Sequence, residues 1–234
     1  MPTFNGVGSR AAALYRDLIR DPNLVALWMM NEAGGGTIYD HCIKNRLTGT
    51  VTGNPTYSKA IATHFYGLDL DGTGDYVDLG DVAALDFQWT DALSILALID
   101  PNVSADNCIV SKHSGFRGWE FSMNSSRQLV VQLTNADTTS ETVVTSTGAL
   151  TNGTDALVGM SYGGAGAASD IILYKDGAAY ADTDTTNNRS GTIIAAGNAQ
   201  IGARAGSANF NGDIGLVAIF NAKMTAMDFR RWAW

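Results

Sequence analysis

The carboxylates are the first residues that could carry chemistry, because glycoside hydrolysis needs two of them facing one sugar bond. The chain has three glutamates, which are far apart in sequence and fall in separate predicted strands or loops: Glu32, Glu120 and Glu141. No Glu-x-Asp-x-x-Glu cluster occurs. An aspartate pair stays open because aspartate is common, but a glycoside hydrolase is the minority interpretation.

Nucleophilic catalysis has little support in the sequence. There is no Gly-x-Ser-x-Gly elbow, the turn that exposes the serine of many hydrolases. The three histidines fall in unrelated predicted loops, with His113 interpreted as a polar loop residue: His41, His64 and His113. We therefore expect no catalytic residues and a protein that is not an enzyme.

Metal and cofactor binding are equally weak. Three aspartates, Asp69, Asp71 and Asp75, surround Gly72-Thr73-Gly74, but their spacing does not match a calcium-binding EF-hand loop. A turn that uses aspartate and glycine for its geometry is the simpler interpretation. The two cysteines, Cys42 and Cys108, form no CxxC pattern. One disulfide between them stays open, although two isolated cysteines are more typical of reduced thiols.

Exposed aromatic rings beside polar loops could stack on sugars. The aromatic residues nearest to predicted loop segments, and therefore the candidate glycan-binding residues, are Tyr66, Trp89 and Phe116. Trp119 alternates with Phe121 and Met123, which predicts a position in the core.

Two terminal segments could bind a partner protein. Residues 9–20 predict an amphipathic helix whose apolar stripe includes Leu14, Tyr15 and Leu18. The carboxyl end combines arginine and tryptophan, which dominate interface hot spots. We predict partner binding there by Arg230, Trp232 and Trp234. The alternatives are a helix packed on the main domain and a Trp232 that folds back over an edge of the sandwich.

Composition excludes two classes of partner. The chain has 15 lysines and arginines against 23 aspartates and glutamates, a formal net charge of −8. Nucleic acids and anionic lipid surfaces both require a basic footprint. No apolar run approaches the roughly 18–20 residues of a membrane span. We therefore expect neither a nucleic-acid nor a membrane partner.

The remaining pattern is that of an all-β protein. The 26 glycines supply turns, and short alternating apolar segments follow one another after Pro22. Asp176-Gly177 predicts a type I′ hairpin, and Thr225 to Asp228 predicts a capped terminal helix. The sequence predicts a two-sheet antiparallel β-sandwich over residues 23–234, preceded by an arm with a short helix over residues 1–22.

A family resemblance rests on several motifs in order. They are Trp28-Met29-Met30-Asn31-Glu32, Gly34-Gly35-Gly36-Thr37-Ile38-Tyr39-Asp40, Leu70-Asp71-Gly72-Thr73-Gly74-Asp75-Tyr76-Val77, Leu93-Ser94-Ile95, Ile109-Val110-Ser111-Lys112, Gly118-Trp119, Leu173-Tyr174-Lys175-Asp176-Gly177, Ile201-Gly202 and Phe210-Asn211-Gly212-Asp213-Ile214. Together they resemble the concanavalin A-like, laminin-G-like jelly-roll domains from about Leu24 to Arg231. The resemblance implies a jelly-roll sandwich.

The resemblance also points to a calcium candidate at Asp40 with Asn31 and Glu32. The chain departs from the family pattern at two positions, and the second departure weakens the calcium suggestion. Asp155-Ala156-Leu157 stands where family members often have Trp-His, and Gly215 stands where they often have an acidic residue. Calcium therefore stays open and no cofactor is expected.

The expected function is that of a non-catalytic structural or binding protein. The first residues lack the pattern of a secretory signal, which favours production in a host cytoplasm. A short, catalytically bare member of this family resembles a bacteriophage virion component: a capsid decoration or fibre-associated protein that binds a major capsid protein, or copies of itself, and contacts host glycans. The alternative is an extracellular carbohydrate-binding module of a larger enzyme.

Overall fold

The computed structural model describes residues 9–61, 65–135, 141–188 and 191–233 of the chain. A helix near each end of the described chain, α1 (Ser9–Ile19) and α2 (Ala226–Trp232), flanks a long series of strands. The strands are β1 (Leu24–Trp28), β2 (Thr37–Ile38), β3 (Gly49–Thr52), β4 (Thr56–Ile61), β5 (Phe65–Asp71), β6 (Tyr76–Gly80), β7 (Leu93–Pro101), β8 (Asn107–Ser114), β9 (Arg117–Met123), β10 (Gln128–Thr134), β11 (Glu141–Ala149), β12 (Ala156–Tyr162), β13 (Ile172–Lys175), β14 (Ala178–Tyr180), β15 (Asp182–Asn187), β16 (Ala199–Ile201) and β17 (Asn211–Phe220).

These strands form the two antiparallel sheets that the sequence predicts. In the described residues, the eight-stranded sheet has the order β14-β13-β12-β7-β17-β5-β4, and its eighth strand, β1, pairs with β17. Strand β17 is long enough to pair with β5 through Asn211–Ile214 and with β1 through 217–220. The nine-stranded sheet has the order β15-β11-β10-β9-β8-β16-β6-β3-β2. The fold is therefore a jelly-roll-like sandwich with short terminal helices.

The main core lies between the two sheets. Alternate residues of a strand point to opposite faces, and the apolar set of β9 (Trp119, Phe121 and Met123) enters this core as predicted. Strand β7, which is apolar almost throughout, has both of its faces covered: Ile95 and Ile99 pack in the main core, whereas Leu96 and Leu98 belong to a second cluster.

This second core lies on the outer face of the eight-stranded sheet, the face that points away from the nine-stranded sheet. Strands β7 and β17 contribute Leu96, Leu98 and Phe220, and the helices α1 and α2 cover them. The outer face of a largely apolar sheet must be shielded from water, because each buried apolar side chain contributes about 1.5–3 kcal/mol. Both helices therefore belong to the folded sandwich.

The predicted docking stripe on α1 lies inside this second core. Leu18 is fully buried, Leu14 is nearly so, and Tyr15 is half-buried with its ring edge-on to His41, 5.4 Å between ring centroids. The interpretation of α1 as a free arm is thus replaced by the alternative of a helix packed on the domain. Partner binding by these residues has no exposed apolar stripe to support it.

The carboxyl-terminal helix α2 also packs into the second core. Trp232 is 1% exposed and stacks on Phe220 with ring centroids 5.0 Å apart. Arg231 joins the two ends of the chain, with its guanidinium 4.0 Å from Asp21. Trp232 therefore cannot serve as an exposed partner anchor while α2 is docked. Arg230 is exposed, and Trp234 lies outside the described residues.

Two local predictions are confirmed. Asp176 and Gly177 both have positive φ, 50° and 79°, as a type I′ hairpin between β13 and β14 requires. In α2, the Thr225 hydroxyl accepts a hydrogen bond from the Asp228 backbone N–H, and the Asp228 carboxylate accepts one from the Thr225 N–H, which completes a capping box.

No helix within the described ranges is long and apolar enough to cross a membrane.

The two thiols lie on opposite sides of the sandwich. Cys42 belongs to the second core and donates to the Leu24 carbonyl oxygen. Cys108 lies in β8 of the nine-stranded sheet, and both cysteines are buried and free. In this fold the two cysteines are therefore not paired with each other.

We predict that Leu18→Ala lowers the free energy of unfolding by about 2–5 kcal/mol, because it leaves a cavity under α1. The neighbouring Ile19, which is 38% exposed, is the matched control, and Ile19→Ala should cost much less. Urea denaturation of both variants measures the difference. Equal losses would show that α1 is not part of the cooperative core.

Stability should also fall in mild acid. His41 is buried, neither ring nitrogen has a hydrogen-bond partner, and burial lowers its pKa below the ordinary value of 6.5. The unfolded chain then binds a proton first, so the free energy of unfolding decreases as the pH falls through 6.5, by at most about 1.4 kcal/mol per pH unit for one histidine. Denaturation between about pH 7.5 and 5.5, above the range of ordinary carboxyl groups, measures this slope. His41→Phe keeps the ring contact with Tyr15 and should reduce the slope; the part that remains belongs to His113, whose pKa burial also lowers. An unchanged slope would contradict the assignment.

A candidate ligand-binding face on the nine-stranded sheet

The outer face of the nine-stranded sheet is polar, in contrast to that of the eight-stranded sheet. Because Trp119 and Phe121 point into the main core, Glu120 and Ser122 point to the opposite face. The indole Nε1 of Trp119 donates to the Leu85 carbonyl oxygen at 3.0 Å. This hydrogen bond fixes β9, and with it the direction of Glu120.

The strand register aligns side chains from eight strands in one line across this face. Each residue is the direct partner of the next, in the order Thr50, Asp78, Gln200, Ser111, Glu120, Gln132, Val143 and Thr186. We call these residues the cross-strand row. Seven of the eight are polar, so the row offers hydrogen-bonding groups across most of the sheet.

Glu120 lies at the centre of the cross-strand row and is 5% exposed. One carboxylate oxygen accepts a hydrogen bond from the Ser122 hydroxyl at 2.9 Å, and the other accepts one from Arg204 Nη1 at 3.0 Å. Burial alone would lower the pKa of the Arg204 guanidinium, but the Glu120 carboxylate outweighs it and the pKa is raised. The two groups form an ion pair with one buried and one partly exposed member.

The segment that carries Arg204 is anchored directly on the cross-strand row. The Ser111 hydroxyl donates to the Ala203 carbonyl oxygen at 2.9 Å, and the Gly206 N–H donates to the Gln200 amide oxygen at 2.8 Å. Arg204 and Ser207 exchange backbone hydrogen bonds of 2.8 and 2.9 Å. The guanidinium is therefore held in place before any ligand arrives.

Beside this segment lies an open cleft of about 120 Å³. Glu120, Ser122 and Gln132 line its floor, and Arg204 and Asp106 are among its walls. Carboxylate, amide, hydroxyl and guanidinium groups are those that hydrogen-bond to polyhydroxylated ligands. The cleft can hold a small polar molecule or one unit of a longer polymer.

Two of the three glutamates are closer together than their sequence positions suggest. Gln132 is the cross-strand neighbour of Glu120, and its amide donates to the Glu141 carboxylate at 2.7 Å. Each carboxylate is already engaged by a donor, whereas a glycosidase needs one carboxyl group that is protonated. Glu32 lies elsewhere, in the loop between β1 and β2.

The loop prediction for His113 is wrong. His113 lies in β8 and is buried; its Nδ1 is 3.1 Å from the Gly115 carbonyl oxygen and its Nε2 has no hydrogen-bond partner. Burial lowers its pKa. His41 does lie in a loop, as predicted, and His64 is outside the described residues.

Lys112, the residue before His113, is a buried cation that sequence reasoning missed. Its ammonium group is 2.7 Å from the Asp81 carboxylate, 2.5 Å from that of Asp86 and 3.0 Å from the Val82 carbonyl oxygen. These three partners use all the donors of the ammonium group. Lys112 is therefore a structural brace, not a ligand-binding group.

The predicted glycan-binding residues fall on three separate elements. Phe116 is at the tip of the β8–β9 hairpin and is 62% exposed. Trp89 is partly buried against the main core in the segment before β7, and Tyr66 is half-buried in β5 of the other sheet. Phe116 is on the nine-stranded sheet but at the end of the β8–β9 pair opposite to Asn107 and Met123 of the cleft; glycan binding by Phe116, Tyr66 and Trp89 stays a prediction.

The calcium candidates do not have the geometry of ligands. Both oxygens of Asp40 accept backbone N–H groups, from Leu27, Cys42 and Leu47 at 2.7–2.8 Å, and Asp71 accepts from Thr73 at 2.7 Å. These are the turn contacts of aspartate. Within the described ranges, no group of three or more histidine, cysteine or acidic side chains is placed to hold a metal ion.

The family can now be assigned. The model of the concanavalin A-like lectin/glucanases superfamily matches residues 71–228, more than half of the chain. The chain therefore belongs to this superfamily, as its motifs predict. No curated protein sequence matches it.

Several solved structures share the fold at low sequence identity. Domain 4 of a Geobacillus stearothermophilus arabinanase, solved with arabinotriose, has a TM-score of 0.65 at 13% identity, over 91% of this chain and 98% of that domain. The CBM40 of a Ruminococcus gnavus sialidase, bound to sialyllactose, has a TM-score of 0.56 at 13% identity, over 72% of this chain and 96% of that one. The binding domain of botulinum neurotoxin DC, in complex with rat synaptotagmin II, has a TM-score of 0.67 at 14% identity; the match covers 89% of this chain and 50% of that one.

We predict that Arg204→Met lowers the free energy of unfolding by about 1–3 kcal/mol, because it removes a charged hydrogen-bond donor from a buried carboxylate. Adding Glu120→Gln to this variant should recover most of the loss, since no buried charge is then left unpaired. Thermal and urea denaturation of the single and double variants gives the coupling energy. Additive losses would show that the two side chains are energetically independent.

Proposed function

We propose that this protein is a non-catalytic carbohydrate-binding domain that holds a glycan in the cleft over the cross-strand row. The observation that carries the proposal is the aligned line of polar side chains, centred on Glu120 and fixed by strand register. A ligand that extends from the cleft along the row would meet the partly exposed side chains of Gln132 and Thr186, while Ser111 and Gln200 are covered by the segment that carries Arg204. The arrangement is preorganised, which lowers the entropic cost of binding.

Two further observations support a binding role over a hydrolytic one. The carboxylates of Glu120 and Glu141 are both held by donor groups, which leaves neither positioned as a free acid and base pair. Of the three similar structures named above, two are described with a bound oligosaccharide and one with a bound protein. Binding is the role that those descriptions have in common.

The direct test is a glycan array followed by calorimetric titration of the strongest neutral oligosaccharide. Gln132→Ala should weaken binding about tenfold, because one hydrogen-bonding side chain is lost from the floor of the cleft. Met227→Ala is the control: Met227 is exposed on α2, on the opposite side of the sandwich, and its variant should bind as the wild type does. An equal effect of both variants, or no glycan binding at all, would contradict the proposal.

Phe116 tests whether a bound glycan extends from the cleft along β9 to the tip of the β8–β9 hairpin. Its exposed ring can stack on a sugar, and Phe116→Ala should reduce glycan affinity without changing stability by more than about 0.5 kcal/mol. Titration of the same oligosaccharide measures the change. Unaltered affinity would remove Phe116 from the glycan site.

A position on a virion surface remains our second proposal, alongside extracellular binding. This proposal is supported by the family resemblance, the acidic composition and the lack of a recognised catalytic motif in the sequence. The apolar residues of α1 do not support it, because they are used in the second core. Among the predicted anchors in the described part of the chain, Arg230 is exposed. Co-purification with phage particles, lost in Arg230→Glu, would support this location, and a protein found only free in the medium would contradict it.

A further inference from the structure

The charged side chains around the cleft indicate which class of glycan it can bind. Its lining contains the carboxylates of Glu120 and Asp106, against the guanidinium of Arg204. A third carboxylate, that of Glu141, is joined to the cleft through the Gln132 amide. Negative charge therefore exceeds positive charge on this part of the face, in a chain whose net charge is already −8.

The charge of the Arg204 guanidinium is already balanced by Glu120, although the side chain is 38% exposed and keeps further N–H donors. Arg204 Nη1 is 3.0 Å from Glu120, whose side chain is 5% exposed. An acidic sugar that took this guanidinium would leave a buried carboxylate without its ion-pair partner, which is among the costliest changes in a protein interior. The intramolecular carboxylate is therefore a built-in competitor for the position that a ligand carboxylate would need.

The side chains that line the cleft also favour ligands that donate hydrogen bonds. Ionised carboxylates only accept hydrogen bonds, so the lone pairs of Glu120 and Asp106 left over after their internal contacts require a ligand that donates. Sugar hydroxyl groups can both donate and accept, whereas the carboxylate of a sialic or uronic acid only accepts. Hydroxyl donors match this lining, and a second carboxylate does not.

We propose that the cleft selects uncharged glycans and excludes acidic ones, with Glu120 acting through its ion pair to Arg204 as the group that sets this selectivity. The inference rests on the proposed function and specifies its substrate class. Glu120 then has two tasks: it fixes Arg204 and it occupies the position where an anionic group would bind.

The test compares neutral and acidic probes on one protein. The neutral probes are arabinotriose and the neutral members of a glycan array; the acidic ones are sialyllactose and digalacturonate. Wild-type protein should bind its best neutral probe at least tenfold more tightly than either acidic probe. Glu120→Gln keeps the shape of the side chain but frees Arg204, and it should raise the affinity for an acidic probe at least tenfold.

Glu141→Gln is the matched control. It changes the net charge by the same amount but leaves the pair between Arg204 and Glu120 intact, so its affinity for acidic probes should rise less than threefold. An equal rise in both variants would overturn the role of the ion pair and leave only a general charge effect. No rise in folded Glu120→Gln protein, verified by its melting transition, would also overturn it.

The wild-type measurement needs no variant and separates the two proposals. Acidic probes that bind as tightly as neutral ones, or more tightly, would overturn the selectivity inference and leave the carbohydrate-binding proposal standing. Failure of every neutral and acidic probe to bind would overturn both.

Discussion

The eight-stranded sheet is apolar on both of its faces, and this constraint organises the rest of the molecule. One face packs against the nine-stranded sheet, and the other would expose Leu96, Leu98 and Phe220 to water if nothing covered it. Burial of such side chains contributes about 1.5–3 kcal/mol each. The helices α1 and α2 meet this requirement, and their apolar residues are used for that purpose.

The nine-stranded sheet, in contrast, has one apolar face and one polar face. Its inner face is anchored by Trp119 and Phe121, so its outer face is free to be polar. Because register is fixed wherever one face of a sheet is buried, the polar residues on the other face are fixed as well. The alignment of Ser111, Glu120 and Gln132 is thus a direct result of core packing.

Local periodicity was sufficient to predict the fold from the sequence. The helix over residues 9–20, the strand Ala156–Tyr162, the hairpin at Asp176 and the capped α2 all follow from patterns that depend on a few neighbouring residues. The same local reasoning left open whether α1 packs on the domain. Tertiary contacts decided that question, because the covering partner of an apolar stripe is not visible in the stripe itself.

The candidate site could be predicted only in part. The alternation around Trp119 indicated that Glu120 and Ser122 point away from the core, but not that Arg204 reaches Glu120 from 84 residues later in the chain. The burial of Lys112 in β8 was missed for a related reason. Polar residues in a strand can be buried when distant groups, such as Asp81 and Asp86, neutralise them.

Both terminal helices pack on the outer face of the eight-stranded sheet, whereas the cleft lies on the nine-stranded sheet at the opposite side of the molecule. A linker attached near Ser9 or Ala233 would leave the molecule on the side of the eight-stranded sheet. The cleft would then point away from the surface to which the linker is fixed. Many copies fixed in this way would present their clefts side by side. Such an array can convert weak individual contacts into strong overall adhesion, because each additional contact forms at high local concentration.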